Sequence, residues 1–406
     1  MKYNTTVLPN GLRIIHLPST SPVVYCGYQI AAGARHEQPG EEGLAHFCEH
    51  MTFKGTRRRS ALQIINTLEQ VGGELNAFTN KEDTTFYAAI HRDHFRLAAS
   101  LLTDMVFDSQ YPQAEIDKEV EVICDEIESY NDSPAELIFD EFENILFEGH
   151  PLGHNILGQA EQLRTYTTED ALRFTRRYYR PDNAVFFVYG DVDFKRVAAL
   201  VGGTDATTEP PAAPTPPTQL KTSAQSTIIR HKDTHQAHVM MGCQAYDINH
   251  PLRTALYLLN NLLGGPGMNS RLNLSLRERH GMVYTVESTM VSYGDTGLWA
   301  VYFGCDPEDV AKCRRLVSHQ LTRLTEKPLT TTQLNAAKRQ LKGQIAIACD
   351  NRENFALDFG KSFLHYGKEK DVELLLQKID AVTAREIQQV AQELFAPERL
   401  TTLIYK

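Results

Sequence analysis

Cysteine is sparse and unpatterned: seven in 406 residues, odd in number, scattered, with no Cys-x-x-Cys pair. That argues against a disulfide framework or a zinc knuckle and makes a reducing compartment the simpler home. No apolar run reaches the roughly 20 residues of a membrane span. The opening stretch "MKYNTTVLPNGLRIIHL" carries polar residues where a signal peptide needs unbroken apolar ones, so the expected location is the cytoplasm. Positive charge is also short, 41 Lys and Arg against 51 Asp and Glu, for a net charge of -10. Nucleic acid and anionic membrane are therefore disfavoured as main partners, and a basic or extended peptide is drawn in more readily.

What remains is an ordinary globular composition, 42% hydrophobic and 23% charged, on a chain long enough for two domains. The composition breaks at "TDATTEPPAAPTPPTQLKTSAQS", where proline, threonine and alanine crowd together as in a solvated linker. The division expected is a domain over 1–203, a linker over 204–224 and a second domain over 225–406. The halves also resemble one another. "TTEDALRFTRRYYRPDNAVFFVYGD" (167–191) and "TAREIQQVAQELFAPERLTTLIYK" (383–406) both read as an amphipathic helix, a proline stop and an apolar strand. "VVYCGYQI" (23–30) and "HVMMGCQA" (238–245) share a strand with Gly-x-Gln.

In the first half "GLRIIHLP" and "VVYCGYQIA" read as strands, and "GLAHFCEHMTFKG" and "ALQIINTLEQVGG" as helices. "ELNAFTN" and "TTFYAAI" read as strands joined at "KED", and "HFRLAASLLTDMVF" and "QAEIDKEVEVICDEIESYN" as long helices. The fold class expected is α+β: two homologous α/β-sandwich domains, each a mixed sheet covered by helices, related by internal duplication.

One short stretch concentrates ionisable groups. In "GLAHFCEHMTFKGT" a helix puts Glu49 about 300° and His50 about 40° from His46, so all three leave from one face. Phe47 and Cys48, near 100° and 200°, point elsewhere and read as core. Two imidazoles at i and i+4 can grip one Zn²⁺, and the glutamate beside them can take a proton from water. The inverted order His-x-x-Glu-His is the inverzincin arrangement. A polar face with two surface histidines is the plain alternative. A catalytic zinc needs a third protein ligand, and the acidic helix offers Glu115, Glu119, Glu121, Asp125, Glu126 and Glu128. Glu119 and Glu126 share nearly the same face, about 10 Å apart along the axis. Spacing alone does not choose among these carboxylates.

"HFCEHMTFKGT" followed by "EVEVICDEI" resembles the pitrilysin and mitochondrial-processing-peptidase family of inverted zinc metallopeptidases. The similarity runs along the whole chain, through "PNGLRI", "GGELNAFTNKEDTTFYA" and "GGPGMNSRLNLSLRERHGMVYTV". The resemblance implies Zn²⁺ on His46, His50 and Glu126, Glu49 as general base, and Glu119 as a carboxylate behind the ligands that orients a histidine. It implies that Asn76, Ala77 and Phe78 take a peptide substrate by main-chain pairing. It assigns "GGPGMNS" (264–270) to substrate handling.

The second half lacks metal ligands. "PLRTALYLLNNLLGG" holds no histidine, and Ala337 and Gln344 stand in the helix that corresponds to the acidic one. It does hold "SLRERHGMVY", expected to leave a helix near Gly281 and enter a strand. The resemblance assigns Arg277 and Tyr284 there to the scissile carbonyl, which suits donors to a growing oxyanion. Read alone they are a surface charge and a strand aromatic. With two domains where larger family members carry four, the resemblance implies a homodimer enclosing a chamber, with sites completed across subunits. The expected activity is a zinc-dependent endopeptidase of peptides or unfolded segments. The alternative is a non-catalytic scaffold of the same fold.

Overall fold

Two sheets with the same wiring organise the chain. The structure, a computed structural model, describes residues 2–202, 220, 225–232 and 234–406. The proline-rich segment expected over 204–224 lies outside the described residues apart from Leu220. The first sheet comprises β1 (Asn4–Val7), β2 (Arg13–Pro18), β3 (Val23–Ile30), β4 (Glu74–Thr79), β5 (Thr84–His91) and β6 (Ala184–Gly190), in the order β1-β2-β6-β3-β5-β4. The second comprises β7 (Ser226–Arg230), β8 (Ala237–Ala245), β9 (Val283–Ser292), β10 (Gly297–Cys305) and β11 (Thr401–Tyr405), in the order β7-β11-β8-β10-β9. Each sheet is antiparallel except for one parallel pair, β2 with β6 and β7 with β11.

The duplication is visible strand by strand. β6 lies between a parallel β2 and an antiparallel β3, and β11 lies likewise between β7 and β8. Each is preceded by the same helix-to-strand device. Thr167 and Asp170 form a capping box on the helix Thr168–Tyr178, and Thr383 and Glu386 form one on the helix Ala384–Leu394. Proline-led 3₁₀ turns then redirect both chains into their strands. The fold is thus two α/β sandwiches of mainly antiparallel sheet, as the repeated pattern requires.

The chain forms two compact units, each assembled from three segments. The first takes Met1–Glu128, His154–Thr218 and Ala348–Asp371; the second takes Ser129–Gly153, Gln219–Ile347 and Val372–Lys406. In the first, period-two alternation along β6 sends neighbouring rings to opposite faces. Phe186 meets Tyr28, which in turn meets Phe107, whereas Phe187 and Tyr189 meet Phe359 of the helix Arg352–Tyr366. In the second, the helix Pro134–Leu146 packs Leu137, Ile138, Phe142 and Leu146 with Met240, Ala300, Leu403 and Tyr405 of the sheet. Each unit therefore includes a helix from the opposite half of the sequence. The division read from composition alone assigns both helices by chain position.

Helices α1 (Leu44–Thr52), α2 (Ala61–Glu69), α3 (Phe95–Asp108) and α4 (Gln113–Asn131) belong to the first unit or begin in it. Among the described residues no helix is long and apolar enough to cross a membrane.

Candidate metal centre

α1 starts at Gly43, where φ is +90° and a Cβ would stand 2.8 Å from the Leu157 carbonyl oxygen, so only glycine fits. Gly43 has no side chain to cap the helix. Glu37 does so instead: its buried carboxylate accepts from the backbone N–H of Gly43 at 3.0 Å and of Ala45 at 2.8 Å. His154 Nε2 lies 2.9 Å from the same carboxylate. A carboxylate at a helix N-terminus meets both the unpaired N–H groups and the positive end of the dipole.

Along α1, Phe47 and Cys48 are fully buried in the core, as the helical angles require. His46, Glu49 and His50 leave by another face. His46 Nε2 lies 3.9 Å from Glu126 Oε2 of α4, and His50 Nε2 lies 3.5 Å from the same oxygen. One ligand atom from each of the three falls within 4.8 Å of the others. On the far side of the His50 ring, Nδ1 is 3.1 Å from Glu119 Oε1, and Glu119 Oε2 is 2.5 Å from Lys54 Nζ. The two carboxylates that sequence spacing left undecided thus meet opposite nitrogens of one imidazole.

These residues fit a zinc ion. The 3.5 and 3.9 Å separations are long for hydrogen bonds, but ligand atoms at about 2.0 to 2.1 Å around a tetrahedral ion lie about 3.4 Å apart. Three potential ligand atoms converge without a direct hydrogen bond among them, an arrangement that a shared cation suits. His46 Nδ1 is buried with no hydrogen-bond partner, so the ring has no fixed hydrogen bond to hold it. Burial, and then the charge of His50, push His46 down to about 3, leaving its nitrogen free to ligate. Burial also pulls His50 down, but the Glu119 hydrogen bond and the nearby carboxylates outweigh it and raise the group. Glu126 keeps 45% of its side chain exposed, so the face toward solvent is open.

Glu49 is buried beside the three. Burial raises its carboxyl above the usual range, against the opposing pull of a hydrogen bond from Thr79 and the charge of His50. A raised carboxylate is better matched to proton transfer near neutrality. Thr79 ends β4, the edge strand of its sheet, which pairs on one side only with β5. Asn76, Ala77 and Phe78 lie on that strand opposite Tyr87, Phe86 and Thr85, with Asn76 exposed. Sequence reading missed Thr79, Glu37 and Lys54. Lys54 did leave a signal, continuing the four-residue spacing of His46 and His50.

Arg277 and Tyr284 belong to the second unit. A short helix of π-type winding, Asn273–Glu278, carries Arg277; the chain turns at Gly281, with φ +61°, and enters β9, which carries Tyr284. The Arg277 guanidinium stands 5.6 Å from the centre of the Tyr284 ring, and Tyr284 is 78% exposed. Ala337 and Gln344 lie on the helix Thr331–Asp350, the counterpart of α4.

Comparison with known proteins bears on the fold and the family of the chain. The family description "Insulinase (Peptidase family M16)" matches residues 13–160, and "Peptidase M16 inactive domain" matches residues 165–341. The chain belongs to peptidase family M16, as a two-domain member. It is 32% identical over 400 residues to the uncharacterized zinc protease YmxG of Bacillus subtilis, covering 97% of this chain and 96% of that one. It is 33% identical over 398 residues to an uncharacterized zinc protease of Streptomyces coelicolor, covering 96% and 86%. The crystal structure of a protease from Helicobacter pylori superposes with a TM-score of 0.93 at 23% identity, over 100% of this chain and 99% of that one. That likeness establishes the fold. The family is one of metallopeptidases, and the names of these relatives give zinc as the metal.

Proposed function

We propose that the protein is a zinc-dependent endopeptidase that hydrolyses peptides or unfolded segments. The observation that carries the reading is the meeting of His46, His50 and Glu126 with Glu49 buried beside them. A zinc ion held by those three ligands would supply Lewis-acid polarisation of a carbonyl and a lowered pKa for water. Glu49 takes the proton from the attacking water and returns it to the leaving amine, so that the C–N bond breaks as water adds across it. Thr79 holds one oxygen of Glu49 in place for that transfer. Glu119 keeps His50 oriented by accepting from Nδ1.

Substrate enters extended along β4, where Asn76, Ala77 and Phe78 offer unpaired main chain at the sheet edge. Arg277 and Tyr284 donate to the oxyanion; the exposure of Tyr284 and its contact with a guanidinium suit that role. Their place on a unit other than the one that holds the metal ligands suits a homodimer enclosing a chamber in which each subunit contributes this pair to its partner's metal. Seven unpaired cysteines support a reducing cytoplasmic setting. The intact ligand set weighs against a non-catalytic scaffold of the same fold, and the presence of Glu49 against a purely structural metal.

The test couples metal analysis with cleavage of a quenched fluorescent peptide, with and without a chelator. One zinc per chain and chelator-sensitive cleavage are expected. A zinc-loaded protein that cleaves no member of an unstructured peptide library would return the scaffold reading.

A further inference from the structure

We infer that Lys54 is a positioning residue for the metal centre, fixing the Glu119 carboxylate so that His50 presents Nε2 to the ion. The inference rests on the zinc reading above and adds a residue that reading does not use.

Each oxygen of Glu119 is taken by a different partner, Oε1 by His50 Nδ1 at 3.1 Å and Oε2 by Lys54 Nζ at 2.5 Å. The carboxylate therefore cannot rotate without losing one of them. Lys54 is anchored in turn by its own backbone, whose N–H donates to the Met51 carbonyl at 3.1 Å in the turn that closes α1. Ammonium and imidazole thus both originate from one short segment, the end of α1 and the turn that closes it, and the carboxylate from α4 is held between them. With side-chain exposures of 27% for Lys54 and 10% for Glu119, the pair is largely withdrawn from water, where an ion pair orients more strongly than on the surface. A lysine is also the right chemistry. Its point charge holds Glu119 as an acceptor, which is the form that takes the Nδ1 proton of His50 and leaves Nε2 as a lone pair. Without Lys54 the carboxylate keeps one partner and can swing, and the imidazole loses its fixed orientation.

The experiment measures zinc affinity by competition with a chromophoric chelator for the wild type, Lys54→Met, Lys54→Gln, Lys54→Arg, Glu119→Gln and the Lys54→Met/Glu119→Gln double variant. Groups behind metal ligands carry about 10- to 100-fold in affinity, so Lys54→Met is expected to weaken zinc about tenfold and Lys54→Arg to restore it to within about threefold. In the Glu119→Gln background, Lys54→Met should change affinity less than about twofold, because its route to the metal is already cut. Melting of the metal-free proteins is followed alongside. Lys54→Gln, which keeps reach and polarity, carries the test where Lys54→Met lowers that melting temperature. Wild-type affinity in both neutral variants, or an undiminished loss in the Glu119→Gln background, overturns the inference while leaving the zinc reading intact. A wild type that binds no zinc, with His46→Ala indistinguishable from it, removes the zinc reading itself and this inference with it.

Discussion

Thr79 Oγ1 donates a 2.8 Å hydrogen bond to Glu49 Oε2, so the last residue of the edge strand holds one oxygen of the carboxylate assigned as base. The strand that would align a substrate and the group that would activate water are thereby tied together. Glu49→Gln is expected to keep zinc and to lose about 10²- to 10⁴-fold in kcat, the range of a general base. Thr79→Val should keep zinc and lower kcat about tenfold with little change in KM, because it loosens the base without touching a ligand. Steady-state kinetics with parallel metal analysis separates the two effects. Normal turnover by Glu49→Gln would remove the role given to that residue.

Arg277 and Tyr284 give a test of how many chains build one site. Arg277→Ala alone and Glu49→Gln alone are each expected to be nearly inactive. When the two are mixed under conditions that exchange subunits, about a quarter of wild-type activity should return, since half the dimers are mixed and each mixed dimer regains one of its two sites. No recovery, with exchange demonstrated by tagged subunits, would mean that each chain completes its own site.

Glu37 sets the start of α1, and its loss should cost stability before it costs chemistry. Glu37→Ala leaves the N–H groups of Gly43 and Ala45 without their acceptor and is expected to destabilise the protein by about 2 kcal/mol. Urea unfolding of the metal-free protein measures this. A change below about 0.5 kcal/mol would show that water replaces the carboxylate at no cost.

Asp83 links stability to pH. Although burial alone would raise it, His365, Lys361 and Asn80 hold its carboxyl far below the usual aspartate range. A folded-state pKa that is depressed contributes stability present above the unfolded value near 4 and lost as pH falls through the folded one. Asp83→Asn is therefore expected to be less stable than the wild type by about 3 kcal/mol at pH 7, with the gap narrowing below about pH 4. A gap that stays constant down to pH 3 would assign the loss to packing in place of charge.

How much of this the sequence disclosed depended on how local each cause is. The helix with His46, Glu49 and His50, the turn at 81–83 and the break at Gly281 follow from periodicity and turn chemistry within a dozen residues, and the observed elements match them. The choice between Glu119 and Glu126 does not, because α4 carries acidic residues on several faces and only the approach of α1 decides which oxygen meets which nitrogen. Thr79 was hidden for a similar reason: a threonine at the end of a strand has no distinguishing spacing, and its meaning arises only from Glu49 lying beside it. The placements of the helices Pro134–Leu146 and Arg352–Tyr366 depend on partners that are remote in sequence.

Those two helices bear on synthesis as well as on the finished molecule. A nascent chain released from the ribosome as far as residue 203 already holds all six strands of its sheet, yet Phe187 and Tyr189 still lack the ring of Phe359 that meets them. Closure of the first-made sheet must wait until residues Arg352–Tyr366 have followed it, which keeps a sticky aromatic surface open to chaperones or to its own kind in the interval.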